Sequence, residues 1–427
     1  MTALESPLSL PCGVTLPNRI AKAAMTEGLA TPEGLATAEL ERLYGAWSDG
    51  GAGLLITGNV QIDRDHLERP GNVVVQGPPN AAQREALARW ATSATRGGNA
   101  CFVQLSHAGR QTQTQVNRKP KAPSAKRVRI PGGQFGVPVP LSGDEIRDLI
   151  DRFAIAAKAM QEAGFTGVQI HAAHGYLLSQ FLSPLANVRT DEWGGSLENR
   201  ARALLEVVRA VRTQVGPAFP IAVKLNSADF QRGGFSFEDS LQVARWLQAE
   251  GIDLLEISGG TYEQPRLLDL QGIEPVVEQS LARSTRAREA YFVDFAQAMR
   301  AEIDVPLMVT GGLRRRDAMD EVLASGSADL IGIGRPMCTD PDAPRQLFEG
   351  RDELPRWERS LTLFPGPLQA LKWFRLVKAI DGFATQFWFY EQLASLGRSG
   401  APEPSLGVLT ASRRQLSAAS KLMAARA

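Results

Sequence analysis

The sequence predicts a (β/α)8 TIM barrel with long βα loops and a C-terminal helical extension. Three observations lead to this fold class. Short apolar segments alternate with longer amphipathic ones along most of the 427 residues, eight of the apolar segments suit strands, and the pattern changes after Arg335. Segments that are apolar throughout are typical of parallel strands covered on both faces. Eight such strands are the number that closes this type of barrel.

The eight predicted strands are short and nearly continuously apolar. They are Arg19–Met25, Gly53–Gly58, Ala100–Leu105, Gly167–His171, Ile221–Asn226, Leu254–Ser258, Leu307–Thr310 and Leu330–Ile333. Because long amphipathic segments separate them, we expect crossover helices and strands that all run parallel.

Amphipathic helices are predicted between the strands. They are Ala38–Asp49, Gln83–Arg96, Gly143–Ala163, Leu197–Val215, Phe237–Glu250, Tyr291–Ala301 and Asp317–Ala324. Ser196 is the predicted N-cap of one helix, and glycines such as Gly164 lie at predicted helix ends. Two connections, Ser106–Ser142 and Gly259–Glu289, are too long for simple turns, and loops of this length are usually functional or mobile.

The chain is interpreted as one elaborated barrel, residues 1–340, followed by a C-terminal helical extension, residues 341–427. The extension has helical spacing and an aromatic cluster, Phe383, Phe387, Trp388, Phe389 and Tyr390. Aromatic helices of this kind most often fill a hydrophobic core. We therefore expect the extension to pack on the barrel or on a partner subunit, an arrangement compatible with a homo-oligomer.

Composition argues against several classes of protein. The 47 Lys and Arg residues balance 46 Asp and Glu residues, and no basic patch interleaved with aromatic residues is found, which disfavours nucleic-acid binding. No apolar run approaches the ~18 residues needed to cross a bilayer, and the N-terminus does not resemble a signal peptide. Three cysteines are too few for a four-thiolate cluster within one chain. We expect a cytoplasmic protein with a small or neutral partner, and neither nucleic-acid nor membrane binding.

Polar side chains collect at the C-terminal ends of the predicted strands, where the active sites of such barrels lie. The first strand ends in Ala24, Met25 and Thr26, the third contains Gln104, and the fifth contains Lys224. Each of these side chains alone is more often a satisfied loop contact than a ligand. Their convergence is what indicates a site.

His171, His174 and Tyr176 follow the fourth strand in the segment His-Ala-Ala-His-Gly-Tyr. Two histidines three residues apart can share a metal ion, but no carboxylate-rich or cysteine set accompanies them, so we expect no metal. They could also merely cap the strand. The third interpretation is a pair of hydrogen-bond donors for a carbonyl oxygen, with the small residues between them leaving room for a planar ligand.

Glycines follow the last two predicted strands. Gly311 and Gly312 come after the seventh, and Gly334 and Arg335 after the eighth. Backbone N–H groups and a guanidinium at these positions can hold a phosphate, although ordinary turns would also explain the glycines.

The segment Phe181–Arg200, together with the His-x-x-His-Gly-Tyr ahead of it, resembles the signature of the old yellow enzyme family of FMN-dependent oxidoreductases. The resemblance extends from Leu16–Arg19 through Gln104–Arg110 to Thr310–Gly312 and Gly332–Arg335. It covers roughly the first 340 residues and not the C-terminal extension.

The resemblance implies an FMN site. Met25 and Thr26 would lie along the flavin ring next to Ala24, Gly58 would leave space beside it, and Gln104 would bond its pyrimidine edge. Lys224 would sit near N1 and O2, where a cation stabilises the reduced flavin. The two glycine motifs and Arg335 would hold the phosphate.

The resemblance also implies a reaction. His171 and His174 would bind the substrate oxygen, Tyr176 would protonate the α-carbon, and hydride would pass from flavin N5 to the β-carbon. The implied activity is reduction of the C=C bond of an enone or related α,β-unsaturated carbonyl compound, with NADPH or NADH as electron donor. A flavin-dependent dehydrogenase or demethylase on the same barrel, and a non-catalytic flavin-binding protein, remain as alternatives.

The chain departs from the family pattern at several positions. Lys224 stands where many members have Arg, Ala24 where many have Pro, Trp193 where many have Tyr, and Thr26 where one branch has Cys. A lysine is a point charge whereas an arginine offers a planar fork. We therefore expect flavin potential or ring placement to differ from the family norm.

Overall fold

A computed structural model describes residues 2–130, 133–259 and 293–426. Within them, eight parallel strands close into a barrel. The strands are β1 (Ile20–Lys22), β2 (Leu54–Ile56), β3 (Ala100–Ser106), β4 (Gly167–Ala172), β5 (Ile221–Asn226), β6 (Leu254–Ser258), β7 (Leu307–Thr310) and β8 (Leu330–Ile333). Each strand pairs with the next in chain order, and β8 pairs with β1 to close the barrel. The predicted fold is confirmed.

The last four strands have the predicted bounds, whereas β1 and β2 are shorter than predicted. Beyond Ile56 the chain turns toward the segment after β1, where the Gly58 N–H donates to Glu27 Oε1 at 3.0 Å. Parallel pairing with β3 resumes at Val60–Gln61, which lie beside Leu105 and Ser106.

Helices cover the barrel on its outside. They are α1 (Ala38–Asp49), α2 (Ala81–Thr95), α3 (Gly143–Ala163), α4 (Leu177–Leu182), α5 (Leu197–Val215), α6 (Phe237–Ala249), α7 (Val293–Arg300), α8 (Arg316–Ala324) and α9 (Ala343–Phe348). Ser196 caps α5 as predicted, and Gly164 ends α3 in the left-handed conformation with φ of 96°. The short helices α4 and α9 were not predicted. Residues 291 and 292, predicted to begin a helix, lie outside the described residues.

The hydrophobic core has two parts. The larger one lies between the strands and the surrounding helices and includes Trp47, Trp90 and Phe153. The smaller one fills the barrel interior, where an antiparallel hairpin of Leu8–Ser9 and Thr15–Leu16 packs against residues from the strands. The N-terminal hairpin therefore closes this part of the barrel interior.

The long connection Ser106–Ser142 has structure of its own: a 3-10 turn at Gly109–Gln111 and a parallel pairing of Lys121–Ala122 with Val139–Pro140. The second long connection, Gly259–Glu289, lies outside the described residues apart from Gly259.

The C-terminal extension forms two long helices, α10 (Arg375–Ser399) and α11 (Val408–Arg426). It packs on the barrel: Arg42 of α1 donates from Nε to the Gly397 carbonyl at 2.7 Å, and the Arg69 guanidinium lies 4.1 Å from the centre of the Tyr390 ring. Among the described residues, no helix combines the length and the apolar character that crossing a membrane requires.

Candidate active site

A cleft of about 2750 Å³ opens at the C-terminal ends of the strands. Most of the residues singled out from the sequence line it: Ala24, Met25, Thr26, His174, Tyr176, Lys224, Gly311, Gly312, Gly334 and Arg335. The other three, Gly58, Gln104 and His171, are buried, and hydrogen bonds or ring contacts join them to neighbours of this group. The barrel thus gathers side chains that are far apart in the sequence.

The two histidines converge. His171 Nε2 lies 3.2 Å from His174 Nδ1, and His174 Nε2 lies 2.6 Å from the hydroxyl of Ser258 at the end of β6. Burial lowers the pKa of both imidazoles well below the ordinary value, and the charge of Lys224 acts in the same direction. Both rings are therefore neutral near pH 7, and each has one N–H to donate.

The backbone holds His174 in an unusual conformation. Its φ is 60°, in the left-handed region that non-glycine residues seldom adopt, and Gly175 follows with φ of 77°. The His174 N–H donates to Asn226 Oδ1 at 3.0 Å, and Gln111 donates to the His174 carbonyl at 3.0 Å. Non-glycine residues held in this way cluster at functional sites.

Tyr176 lies next to the pair. Its ring centroid is 4.8 Å from that of His171, and the residue forms the N-cap of α4. The end of β4 and the segment after it thus bring two imidazoles and a phenol together at the cleft.

A buried polar network lies beneath the cleft. Lys224 Nζ donates to Glu256 Oε1 at 2.7 Å, as does the Thr310 hydroxyl, while Gln169 donates to the other Glu256 oxygen at 2.7 Å. Gln104 donates to Gln169 Oε1 at 2.7 Å. Glu256, which is fully buried, therefore balances the charge of Lys224.

A second polar cluster explains the glycine at position 58. The Gly58 N–H donates to Glu27 Oε1 at 3.0 Å and to the Tyr44 hydroxyl at 3.2 Å, and a Cβ at this position would lie 2.2 Å from Glu27 Oε2. Lys22, fully buried against the ring of Trp47, donates to the Ile56 carbonyl at 2.7 Å, and burial lowers its pKa to about 8. A side chain at position 58 would displace this cluster.

The ends of β7 and β8 form a basic corner of the cleft. Arg314 Nη2 lies 3.2 Å and Arg335 Nη2 lies 3.9 Å from the same Glu358 oxygen. Arg314 is buried, which lowers its pKa to about 10, and its Nε has no hydrogen-bond partner among the described residues. Gly311 and Gly312 have φ of 122° and 78°, so the backbone there takes a shape that favours glycine.

The remaining two histidines surround Asp63. His66 Nδ1 lies 3.2 Å and His107 Nε2 lies 3.8 Å from Asp63 Oδ2, and Arg152 donates to the same oxygen at 3.0 Å. The other ring nitrogen of each histidine accepts a backbone N–H, from Lys121 and from Gly109. Each neutral ring therefore has its proton on the nitrogen that faces Asp63, which suits a hydrogen bond to the carboxylate and not metal ligation.

Sequence reasoning missed several residues of the site, among them Gln169, Glu256, Ser258 and Arg314. A signal existed for two of them, because Gln169 and Glu256 interrupt otherwise apolar strands. Polar residues within a buried strand need partners. The register then aligns Gln104 with Gln169, and Lys224 with Glu256.

Comparison with known proteins identifies the family. A profile of the NADH:flavin oxidoreductase / NADH oxidase family matches residues 4–353. The chain belongs to this family. The resemblance to old yellow enzymes is thereby confirmed, as are the enzyme class and the cofactors, FMN with a nicotinamide donor.

Curated relatives of this flavin oxidoreductase include three fungal proteins described as NADH-dependent flavin oxidoreductases. The chain is 34% identical over 415 residues to iccE of Talaromyces variabilis, covering 93% of the chain and 99% of the relative. It is 37% identical over 365 residues to iliE of Hypocrea jecorina, covering 80% and 88%. It is 36% identical over 355 residues to iliE of Neonectria sp., covering 79% of the chain but 46% of that longer protein.

Several solved structures share the fold. The old yellow enzyme homologue of Zymomonas mobilis superposes with a TM-score of 0.67 at 28% identity, over 85% of this chain and 97% of the other. Morphinone reductase gives 0.65 at 26% identity, over 83% and 91%. A 2-naphthoyl-CoA reductase complex gives 0.73 at 25% identity, over 82% of this chain and 52% of that one.

Proposed function

We propose that this flavin oxidoreductase reduces the activated C=C bond of α,β-unsaturated carbonyl compounds. The observation that carries the proposal is the convergence of His171 Nε2 and His174 Nδ1 at 3.2 Å beside Tyr176. An enone oxygen gains negative charge as hydride reaches the β-carbon, and two neutral donors aimed at that oxygen stabilise the charge.

Several residues fit the FMN ring, and bound FMN would supply the hydride transfer. We assign the ring to the segment Ala24–Thr26, to the nearby Gly58, and to Gln104 and Lys224. Lys224 supplies a cation at a polar strand end, and Glu256 moderates its charge.

The basic corner fits the FMN phosphate. Arg335, Gly311, Gly312 and Gly334 were chosen from the sequence, and the buried Arg314 joins them with an unpaired Nε among the described residues. A buried guanidinium with an unsatisfied N–H gains a charge-assisted hydrogen bond when an anion binds.

Residues of the chain itself stabilise the charge on the substrate oxygen and supply the proton. When the Ser258 hydroxyl donates to His174 Nε2, the His174 proton lies on Nδ1, next to His171 Nε2. When His171 also has its proton on Nε2, both imidazoles donate to one substrate oxygen, which replaces their hydrogen bond with each other. The Tyr176 hydroxyl completes the reaction by giving a proton to the α-carbon.

The outer part of the cleft supports binding of a nicotinamide dinucleotide. Lys126, Arg127 and Arg232 are exposed and line the cleft, and Glu68 is the one carboxylate among its described lining residues. Basic side chains at this entrance attract the negatively charged diphosphate.

The first test is the visible spectrum of the purified protein, followed by a phenol titration. We expect a flavin spectrum and a long-wavelength absorbance band that grows with phenol. Replacing both histidines, His171→Ala with His174→Ala, should abolish the band. It should also lower the rate of enone reduction by a factor of the order of 10² or more. Unchanged kinetics in this double variant would contradict the proposal.

Tyr176→Phe separates the two half-reactions. Because the hydroxyl is assigned to proton transfer, we expect enone reduction to slow more than flavin reduction by the nicotinamide, as measured by anaerobic stopped flow. Equal slowing of both steps would refute the proton-donor role. Anaerobic flavin reduction by an amine would support the oxidative alternative instead.

A further inference from the structure

We propose that helices α10 and α11 form an apolar wall of the active-site cleft that selects the substrate, and that the cleft takes enones attached to an extended aryl or polycyclic group. This inference rests on the proposed function and adds the substrate class to it.

The C-terminal extension contributes directly to the cleft of the catalytic residues. Helix α10 lines the cleft with the aromatic side chains of Phe383, Phe387, Phe389 and Tyr390. Helix α11 lines it with the aliphatic side chains of Leu409 and Leu416. The same cleft contains Met25, His174 and Tyr176. A substrate with its oxygen at the histidines therefore lies in a cleft that apolar side chains of α10 and α11 also line.

Exposed apolar side chains are concentrated at this cleft. Five of the ten most exposed large apolar side chains among the described residues line it: Leu185, Val188, Ile380, Leu409 and Leu416. Leu185 and Val188 come from the barrel, so apolar surface is contributed by both the barrel and the extension. Contiguous exposed apolar surface beside a catalytic site is typical of a binding groove.

The wall is held firmly on the barrel. The Arg69 guanidinium stacks on the Tyr390 ring at 4.1 Å and donates to Gln415 Oε1 at 2.8 Å. Gln415 in turn donates to the buried Glu391 at 2.6 Å. These contacts join α10, α11 and the barrel, so the wall is preorganised, and ordering it on binding costs little.

The cleft therefore combines the polar histidine pair with apolar side chains of α10 and α11. The histidine pair suits a carbonyl oxygen, and those apolar side chains offer dispersion and hydrophobic contact to the remainder of the substrate. A compact enone would leave the wall exposed to water, whereas an aryl or polycyclic enone would cover it.

The test compares three enones that share one reacting group: 3-penten-2-one, its phenyl analogue 4-phenyl-3-buten-2-one and the corresponding 2-naphthyl compound. We expect kcat/KM to rise with the size of the substituent. The double variant Leu409→Ala with Leu416→Ala should lower the preference for naphthyl over methyl at least fivefold. Both leucines are about half exposed, at 50% and 54%, so their truncation leaves no cavity in the core.

Leu368→Ala is the matched control. Leu368 has a similar exposed fraction, 52%, and lies in the same extension but outside the cleft lining. Its variant should keep the wild-type preference within twofold.

Binding measured without turnover separates this inference from the proposed function. The Kd values of phenol and 2-naphthol for the oxidised holoenzyme, read from absorbance, should show the same loss of preference in the double variant. If the wild type reduces no enone but this loss is observed, the proposed function fails and the wall stands. If the preference is unchanged in both assays, the wall is refuted. A changed molar mass of the double variant in light scattering would make this surface an interface between copies and would equally overturn the proposal.

Discussion

Ser258 offers the sharpest test of how the histidine pair is arranged. Its hydroxyl lies 2.6 Å from His174 Nε2, and when the hydroxyl donates to this nitrogen, the proton of His174 lies on Nδ1. Ser258→Ala leaves a buried imidazole nitrogen without its partner, at a cost of about 1–3 kcal/mol. Without the hydroxyl, the tautomer with the proton on Nε2 is no longer disfavoured, and that tautomer cannot donate from Nδ1.

The expected result is weaker binding of phenolic ligands. Binding must restore the Nδ1 tautomer, which has lost about 1–3 kcal/mol of support relative to the other. At about 1.4 kcal/mol per factor of ten, this corresponds to an increase in the Kd of phenol of about 5- to 150-fold. The assay is a spectrophotometric titration of the oxidised holoenzyme. Rates of enone reduction should fall with the same variant, because the same donor acts on the substrate oxygen.

Ser227→Ala is the matched control, since Ser227 is also buried but its hydroxyl has no hydrogen-bond partner among the described residues. We expect its Kd for phenol to stay within twofold of the wild type. A Kd for the Ser258 variant that is equally close to the wild type would refute the role of the hydroxyl. An equal loss in both variants would show a general packing effect instead.

Three further predictions concern charge. Glu256→Gln breaks the buried pair with Lys224 and should lower the free energy of unfolding by about 3–5 kcal/mol in urea denaturation; a loss below about 1 kcal/mol would contradict the pairing. Arg314→Ala removes a charge-assisted contact with the FMN phosphate that is worth about 1.5–3 kcal/mol. The Kd of FMN for the apoprotein, measured by fluorescence, should therefore rise at least tenfold. A Kd near that of the wild type would exclude a role of Arg314 in phosphate binding. Burial lowers the pKa of His107 from 6.5 to about 4. The unfolded chain therefore binds a proton at a higher pH than the folded chain, and the free energy of unfolding falls by about 3 kcal/mol in total as the pH drops from 6.5 toward 4. Tm should therefore depend less on pH in His107→Gln, and equal pH slopes in both proteins would disprove this.

The summed charge of the chain proved a poor guide to the cleft. A net charge of +1 suggested a small or neutral partner, but the described cleft residues include many arginines and lysines against the single carboxylate of Glu68. Acids that pair with some of these cations, Glu256 with Lys224 and Glu358 with Arg314 and Arg335, lie behind the lining residues. Electrostatic potential depends on where charges lie, and a sum over the sequence does not contain that information.

The sequence by itself determined the barrel and the part of the active site that contains the two histidines. The apolar strand pattern repeats locally, so four strands were predicted with their observed bounds. His171, His174 and Tyr176 belong to one short segment at the end of β4. Signals of this kind depend only on neighbours along the chain.

Tertiary structure alone decided the partners of those residues. Ser258 joins His174 across 84 residues, Glu256 joins Lys224 across 32, and Arg69 joins Gln415 across 346. The last contact also brings the C-terminal helices to the cleft. Hydrogen bonding, burial and pKa are properties of atoms that become neighbours only when the barrel closes, so local sequence patterns predict which strands form but not which distant side chains meet.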